Sequence, residues 1–351
     1  MNVVSVNVLL QWTRQLIEAW GYDEPDADYL ARSLVDANLR GVDSHGVMRL
    51  PVYAARIAHG LIDPAARPII RVDRGVVSVD ANRAPGQIAA RDARQKLEAV
   101  ARELGVATAV VSNSSHFGAA GYYARELARS GFVALVASNS EPIVVPFGGA
   151  EALLGTNPLA FAAPTGSDPI SLDMATSTSA MGKVDLAIAR HERIPGDWGV
   201  DAEGAPTTDP TAVTALLPVG GPKGYGLGLL VEILAGVLSG ASIARDLGNM
   251  YRDMTRAQGI GHWMLALDVE AFMPLENFIE RMDILITMTK ATRPLDPDRP
   301  ILLPGEPEDR TSEARAANGI PLPDDTLADL EELAGNYGVP SLPVAAVLAA
   351  Q

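Results

Sequence analysis

Two histidines in this chain have neighbours that could put them to chemical use. The run Arg40-Gly-Val-Asp-Ser-His-Gly-Val-Met-Arg-Leu-Pro-Val-Tyr53 follows an apolar helical stretch, so Ser44, His45 and Arg49 fall in a loop or on the first turn of the next helix. An imidazole beside a hydroxyl can take or give a proton at neutral pH. A guanidinium four residues on can clasp a carboxylate with two parallel hydrogen bonds. The same residues could instead form a capping Asp-Ser pair with a surface His and Arg. His116 lies in Ser112-Asn-Ser-Ser-His-Phe-Gly118, between an apolar strand run and a helix. Loops at the carboxyl ends of strands in α/β sheets are where ligands gather, so His116 either donates a proton or caps the helix.

Two further segments are rich in backbone N–H groups held by turns. One is Ser138-Asn-Ser-Glu-Pro-Ile-Val-Val-Pro-Phe-Gly-Gly149, continuing through Leu154-Gly-Thr-Asn-Pro158. Its Gly, Asn, Ser and Pro suit a phosphate or a ribose, or ordinary turns between strands. The other is Gly220-Gly-Pro-Lys-Gly-Tyr-Gly226, just before the apolar helix Leu227–Leu238. A helix N-terminus with Lys223 beside it can hold an anion; a glycine-rich turn with a solvated lysine would read the same way. No Walker loop is present, and no Gly-x-Gly-x-x-Gly follows a strand. A dinucleotide bound here would be bound without the usual Rossmann turn. The histidines at 45, 59, 116, 191 and 262 have no metal-ligand spacing, so no metal site is expected. There is also no Gly-x-Ser-x-Gly elbow. His59 and His191 read as surface residues.

These loops need a scaffold, and the periodicity supplies one. Apolar residues at spacings of three and four make Val8–Leu39 two helices, with a turn at Gly21–Pro25. A third helix follows Pro51 and ends near Gly60. Val72–Val79 alternates like a strand, and Gln87–Leu104 is a long helix closed by Gly105. Val106–Val111, Phe132–Ala137, Leu159–Ala163 and Ile170–Leu172 read as strands, with a helix at about Ala119–Ser130 between the first two. Gly226–Ala244 reads as a buried helix, because Glu232 at its centre argues against a membrane span. Pro294–Pro323 is a proline- and charge-rich tail, and Thr326–Gly335 a last helix. Strands alternating with helices predict an α/β sheet packed on both faces. A central sheet domain over 75–290 is expected, with residues 1–74 and 291–351 packed together as a helical unit.

Composition removes other classes. The chain has 351 residues, 48% hydrophobic and 20% charged, which is globular rather than disordered. A formal charge of −15 argues against nucleic acid and against an anionic membrane surface. There is no cysteine, so disulfides, thiolate catalysis and iron–sulfur clusters are excluded. Lys96, Lys183, Lys223 and Lys290 are the only lysines. The N-terminus lacks a basic start and a cleavage site, so a cytoplasmic location is expected.

Several of these segments together resemble one family. Gly41-Val-Asp-Ser-His-Gly-Val-Met-Arg-Leu-Pro51, Ser114-Ser-His-Phe-Gly-Ala-Ala-Gly-Tyr-Tyr123, Pro146-Phe-Gly-Gly-Ala-Glu151, Gly155-Thr-Asn-Pro-Leu-Ala-Phe-Ala162, Asp173-Met-Ala-Thr-Ser177, Pro206-Thr-Thr-Asp-Pro210 and Gly221-Pro-Lys-Gly-Tyr-Gly226 look like the malate/L-lactate dehydrogenase family that is distinct from the Rossmann enzymes. The resemblance spans about residues 5 to 340. It implies a non-Rossmann NAD(P)-binding α/β fold, a homodimer, and hydride transfer between NAD or NADP and a small 2-hydroxy or 2-oxo acid. Reduction of cyclic or N-alkyl 2-imino acids, known in some members, is the alternative. Residue by residue, Ser44 and His45 match a proton-donating Ser-His pair, His116 matches an acid/base histidine, and Arg49 fits the substrate carboxylate. Ser140, Asp173, Met174, Ala175, Lys223, Gly224, Pro304, Gly305 and Glu306 match segments that contact the cofactor. The chain departs from the pattern at Gly259, where many relatives carry Asn. The acidic partner that imine-reducing members place beside the Ser-His pair has no assigned position here, which favours the 2-hydroxy acid reading.

Overall fold

The computed structural model describes residues 2–346. A short strand β1 (Asn2–Val4) leads into helix α1 (Val6–Ala19), capped by the Ser5 hydroxyl accepting from Val8 N. Helix α2 (Glu24–Leu39) starts the same way on Asp23, with Pro25 in its first turn, and α3 runs Leu50–Ala58. Leu9, Trp12, Leu16 and Ile17 lie on one face of α1 and pack against Leu30 and Leu34 of α2 and Tyr53 of α3.

The sheet begins at Ile69. The stretch read as one strand over Val72–Val79 is a hairpin: β2 (Ile69–Asp73) turns back into β3 (Val76–Asp80) through Arg74-Gly75, with Arg74 at φ +52°. Alternation continues through a two-residue turn, so the pattern alone could not mark the reversal. Next come α4 (Gly86–Leu104), ended by left-handed Gly105, then β4 (Val106–Ser114), α5 (Ala120–Arg129) and β5 (Phe132–Ser138). β6 (Leu159–Ala163) and β7 (Ile170–Met174) follow. Then come α6 (Met181–Arg190) and the short pair β8 (Gly199–Val200) and β9 (Ala215–Leu216). α7 (Pro222–Val231) continues into a π-helical turn, Glu232–Val237. β10 (Ile260–Asp268), α8 (Leu275–Ala291), α9 (Glu306–Asn318), β11 (Ile320–Leu322), α10 (Asp324–Tyr337) and β12 (Ala345–Ala346) complete the described chain.

The large sheet has the order β2-β3-β4-β10-β5-β6-β7. It is mixed, and only the β3–β4 pairing is parallel. The β4–α5–β5 crossover leaves a gap between two parallel strands, and β10 enters it antiparallel to both. This central strand is absent from the sequence reading, as are α6, α8 and α9. Helices α8 and α9 bury no residue, so they carry little apolar periodicity to read. One face of the sheet meets α4 and α5 through small side chains such as Ala89, Ala93, Ala109, Ala134, Ala160 and Ala266, which let helix and strand approach closely. β1 joins β11 and β12 in a separate small sheet, and Ile320, Leu322 and Leu330 join the core of the N-terminal helices.

The helix expected to be buried over Gly226–Ala244 is only half so. Gly224, Gly228, Glu232, Ala235 and Gly236 face the protein, while Leu227, Leu230, Ile233, Val237 and Leu238 face outward. Small residues point inward because the π-helical turn lies directly on β10, and a Cβ on Gly261 would overlap the Ala235 carbonyl. Gly261→Val should therefore lower unfolding stability by about 3 kcal/mol, read as a shift in denaturant midpoint; an unchanged midpoint would show that the contact is slack.

Candidate active site

Past the end of α2 the chain is pinned before it reaches Ser44. Asn38 Nδ2 donates to Asp43 Oδ1 at 2.7 Å, and Asn38 Oδ1 accepts from Val47 N at 2.9 Å. Arg315 of α9 clamps the Asp43 carboxylate at 2.6 and 3.0 Å. Gly46 is required there, since a Cβ would run into the Asn38 amide. The result is a tight double turn. Ser44 Oγ lies 3.0 Å from His45 Nδ1, and Arg49 Nε donates to the Ser44 carbonyl at 2.5 Å.

Tyr53 sits one turn beyond Arg49 on α3, and its Oη lies 2.7 Å from His116 Nδ1. Gln87 Nε2 donates to the same Oη at 3.0 Å, and Gly118 N approaches Nδ1 at 3.4 Å. Burial pushes the Tyr53 phenol well above its ordinary range, so it keeps its proton. With donors converging on Nδ1, the neutral His116 ring carries its proton on Nε2. The backbone N–H of His116 donates to Gln258 Oε1 at 3.1 Å. The His45 and His116 rings stack with centroids 5.4 Å apart. Four residues that the sequence placed in two separate loops, Ser44, His45, Arg49 and His116, thus form one cluster.

Electrostatics keeps both imidazoles neutral. The pKa of His45 is pushed down to about 4, first by desolvation and then by the Arg49 charge. His116 is pushed well below its ordinary range by desolvation, His45 and Arg49. Each of the two histidines is half-buried.

Sequence reasoning missed several members. Tyr53 was legible as i+4 from Arg49 on one helix face. Glu141, Tyr251, Gln258 and Arg56 carried no local signal. The Tyr251 ring lies 5.3 Å from the Arg49 guanidinium carbon. Arg56, 1% exposed, donates to the carbonyls of Met250, Asp253 and Arg256 at 3.2, 3.3 and 3.0 Å, holding that loop. His262 is fully buried, bridging Ser138 Oγ at 2.9 Å and Ser114 Oγ at 2.8 Å, and stacks on Phe117 at 4.1 Å. Gly259 stands at φ +68°, a conformation that Asn also tolerates.

The remaining sequence candidates occupy two neighbouring places. Ser140 donates its N–H to Asn157 Oδ1 at 3.2 Å, and its hydroxyl meets Thr156 Oγ1 at 3.3 Å. Asp173, the penultimate residue of β7, accepts from Gly121 N, in the first turn of α5, at 2.7 Å; Met174 ends the strand and Ala175 follows it. Pro304 O accepts from Ser171 N at 3.2 Å, and Gly305, at φ +89°, lies against Ser171. The Glu306 carboxylate is engaged by Lys290, by Arg310 at 2.6 Å and by Leu303 N at 3.0 Å, and its pKa is lowered to about 2. Lys223 is exposed on the first turn of α7; Gly224 is buried, and a Cβ there would overlap the Val219 carbonyl. Val219 N donates to Thr176 O at 2.9 Å, tying the approach to α7 to the end of β7. Among the described residues no cluster of His, Asp and Glu could hold a metal ion, and no helix is long and apolar enough to cross a membrane.

Comparison with known proteins is unambiguous. The profile of the malate/L-lactate dehydrogenase family matches residues 4–331. The chain is 38% identical over 309 residues to the ureidoglycolate dehydrogenase (NAD(+)) of Escherichia coli K12, covering 87% of this chain and 88% of that protein. It is 36% identical over 346 residues to the malate dehydrogenase of Pyrococcus horikoshii, covering 95% of each. The crystal structure of malate dehydrogenase from Entamoeba histolytica superposes with a TM-score of 0.91 at 30% identity, covering 97% of this chain and 99% of that one.

The buried, neutral His262 makes stability depend on pH. Its folded pKa, about 3, lies below the ordinary histidine value, so the unfolded state binds the extra proton. Its contribution is intact above about pH 6.5 and falls, by about 1 kcal/mol per pH unit, as pH drops toward the folded value. His262→Asn should give a shallower loss of stability between pH 6.5 and 4 in denaturant titrations. An equally steep loss would remove His262 as a cause.

Proposed function

The chain belongs to the malate/L-lactate dehydrogenase family, and on that premise we propose that it moves a hydride between NAD or NADP and a small 2-hydroxy or 2-oxo acid, with His116 as the principal acid/base. The observation that carries this reading is the cluster itself: two stacked imidazoles 5.4 Å apart beside a guanidinium tied to the same loop.

The residues present fit a dinucleotide. α7 starts at Gly221-Pro222 without a side-chain cap, with Gly220 and Gly221 at φ +60° and +66°. Its first N–H groups and Lys223 suit a phosphate. Ser140, Asp173, Met174, Ala175, Gly224, Pro304, Gly305 and Glu306 would complete the site. When bound, the nicotinamide supplies or accepts the hydride at its C4. Arg49 holds the substrate carboxylate and so fixes which face of the 2-carbon is presented. His116, steered by Tyr53 and Gln87, exchanges the proton of the substrate oxygen through Nε2. The Ser44–His45 pair polarises that oxygen from the adjacent position. To accept a proton from a hydroxyl the neutral ring must present a bare Nε2, so its own proton moves to Nδ1, where the Tyr53 oxygen accepts the hydrogen bond. A bound carboxylate offsets the Arg49 charge and brings the ring closer to proton uptake for the reverse direction.

Imine reduction is less well supported, because Asp43, the carboxylate next to Ser44 and His45, is spent on Arg315 and Asn38. We further propose a homodimer in the cytoplasm, with residues 1–74 and 291–351 as one unit and 75–290 as the other. A diffusible nicotinamide pool suits that location. Support for the dimer is the outward face of Leu227, Leu230, Ile233, Val237 and Leu238, since monomers rarely leave so much apolar surface in water.

Nicotinamide absorbance with 2-hydroxy and 2-oxo acids should register turnover, whereas turnover on Δ1-piperideine-2-carboxylate alone would favour imine reduction. His116→Ala and His45→Ala should each lower kcat by about 10²-fold or more, and wild-type turnover would remove that residue from the mechanism. Arg49→Lys should chiefly raise KM for the acid, because the fork is lost; an unchanged KM places Arg49 outside the pocket. Light scattering should give a mass of two chains, and Leu230→Glu with Val237→Glu should give one; a monomeric wild type contradicts the dimer.

A further inference from the structure

Among the described residues three acidic side chains are buried: Asp26, Glu232 and Asp268. Asp26 pairs with Arg91 and Asp268 with Arg102, each at 2.6 Å. Glu232 forms no ion pair, and its oxygens are met by N–H groups instead. Oε2 accepts from Asn157 Nδ2 at 2.8 Å, and Oε1 accepts from Ala244 N at 2.8 Å and from Asn139 Nδ2 at 3.4 Å. A carboxylate buried without a cation costs folding energy that an apolar side chain would not. Glu232 also opens the π-helical turn, a distortion frequent where helices carry function.

What this carboxylate controls is Asn157, fully buried at φ +37°. A carboxylate oxygen only accepts, so Asn157 must turn Nδ2 toward Glu232, where it also donates to Gly228 O at 3.0 Å. The amide oxygen is left for Ser140 N at 3.2 Å. Turned the other way, the amide would set N–H against N–H at Ser140. The same stretch is tied to the end of β7. Thr176 N donates to Thr156 O at 2.8 Å, and the Thr176 hydroxyl reaches the carbonyls of Thr156 and Asn157 at 3.0 and 3.2 Å. Asn157 thus joins Ser140, the residue after Asp173-Met174-Ala175, and α7, three of the segments proposed above to hold the nucleotide. On the other oxygen, Ala244 N opens the loop that carries Gln258, the partner of His116 N at 3.1 Å. Granted the dehydrogenase reading above, we propose that Glu232 is a positioning residue for the nucleotide. It fixes which end of the Asn157 amide faces Ser140 and so holds the three segments in register, touching neither nucleotide nor substrate itself.

The test exchanges donor and acceptor across one hydrogen bond. In Glu232→Gln the remaining oxygen can keep Ala244 N, which sets the new amide nitrogen against Asn157 Nδ2. Asn157 must then turn, and Ser140 N loses its acceptor. The dissociation constant of NADH or NADPH, followed by nucleotide fluorescence, should rise about tenfold or more. KM for the nucleotide should rise with it, and kcat should fall far less. Asn157→Asp alone brings two carboxylates together and should weaken binding at least as much. In the double variant the new amide donates to the new carboxylate, which still accepts from Ser140 N, so binding should return to within about threefold of wild type. Two unrelated packing defects would add instead. Unchanged nucleotide affinity in Glu232→Gln, or a double variant whose losses simply add, overturns the role of Glu232 and leaves the dehydrogenase reading standing. If the single variants do not fold, the wild type still decides by hydrogen exchange. Bound nucleotide should slow exchange of the Ala244 N–H, which donates to Glu232 and lies outside the segments proposed for the nucleotide; unchanged exchange there overturns the role too. A wild type that binds neither NADH nor NADPH would contradict the dehydrogenase reading and this inference with it.

Discussion

The hydrogen bond between Tyr53 Oη and His116 Nδ1, 2.7 Å long, joins two separately packed parts of the molecule. Tyr53 belongs to the core made by the N-terminal helices with β11 and α10, whereas Phe117, next to His116, belongs to the core between the sheet and α4 and α5. A buried phenol and a buried ring nitrogen each need a partner, and here each supplies the other's. Gln87 Nε2, donating to the same oxygen, leaves the phenol proton for Nδ1. That choice puts the imidazole's own proton on Nε2. Behind the ring, His262 locks Phe117 by stacking at 4.1 Å and is itself held between two serine hydroxyls. The orientation of one imidazole is thus set by residues from α3, α4, β4, β5 and β10.

Arg49 links geometry to proton affinity. In the proposed mechanism it receives the substrate carboxylate, and its charge is one cause of the lowered proton affinity of both His45 and His116. A carboxylate bound there would reduce that effect at the moment the chemistry requires it. Rigid support makes the coupling effective: Arg56 fixes the loop that carries Tyr251, and the double turn from Asp43 to Arg49 is fastened by Asn38 and Arg315.

The helices with strong apolar periodicity, α1, α2, α4 and α5, were legible because each buries one face, and Gly105 marked the end of α4 through its left-handed backbone. Ser44, His45, Arg49 and His116 were visible as polar residues in loops beside apolar elements. Their convergence was not, since it depends on β10, which lies far along the chain and enters the sheet between β4 and β5. α7 misled for a related reason: its large residues face outward, and hydropathy cannot tell a buried helix from one whose apolar face lacks a partner within the chain. Gln258 and Glu141 act through tertiary placement alone. Tyr53 was within reach of helical spacing, but the His116 that it steers lies 63 positions away.

The coupling between substrate charge and imidazole proton affinity is most directly tested by calorimetry of oxamate binding to the enzyme loaded with reduced nucleotide, near pH 6, in buffers of different ionisation enthalpy. If a carboxylate on Arg49 lifts the histidines toward protonation, the apparent heat will vary with the buffer and report net proton uptake, and the uptake will be lost in Arg49→Met. A heat independent of buffer, or the same uptake without Arg49, would contradict the account.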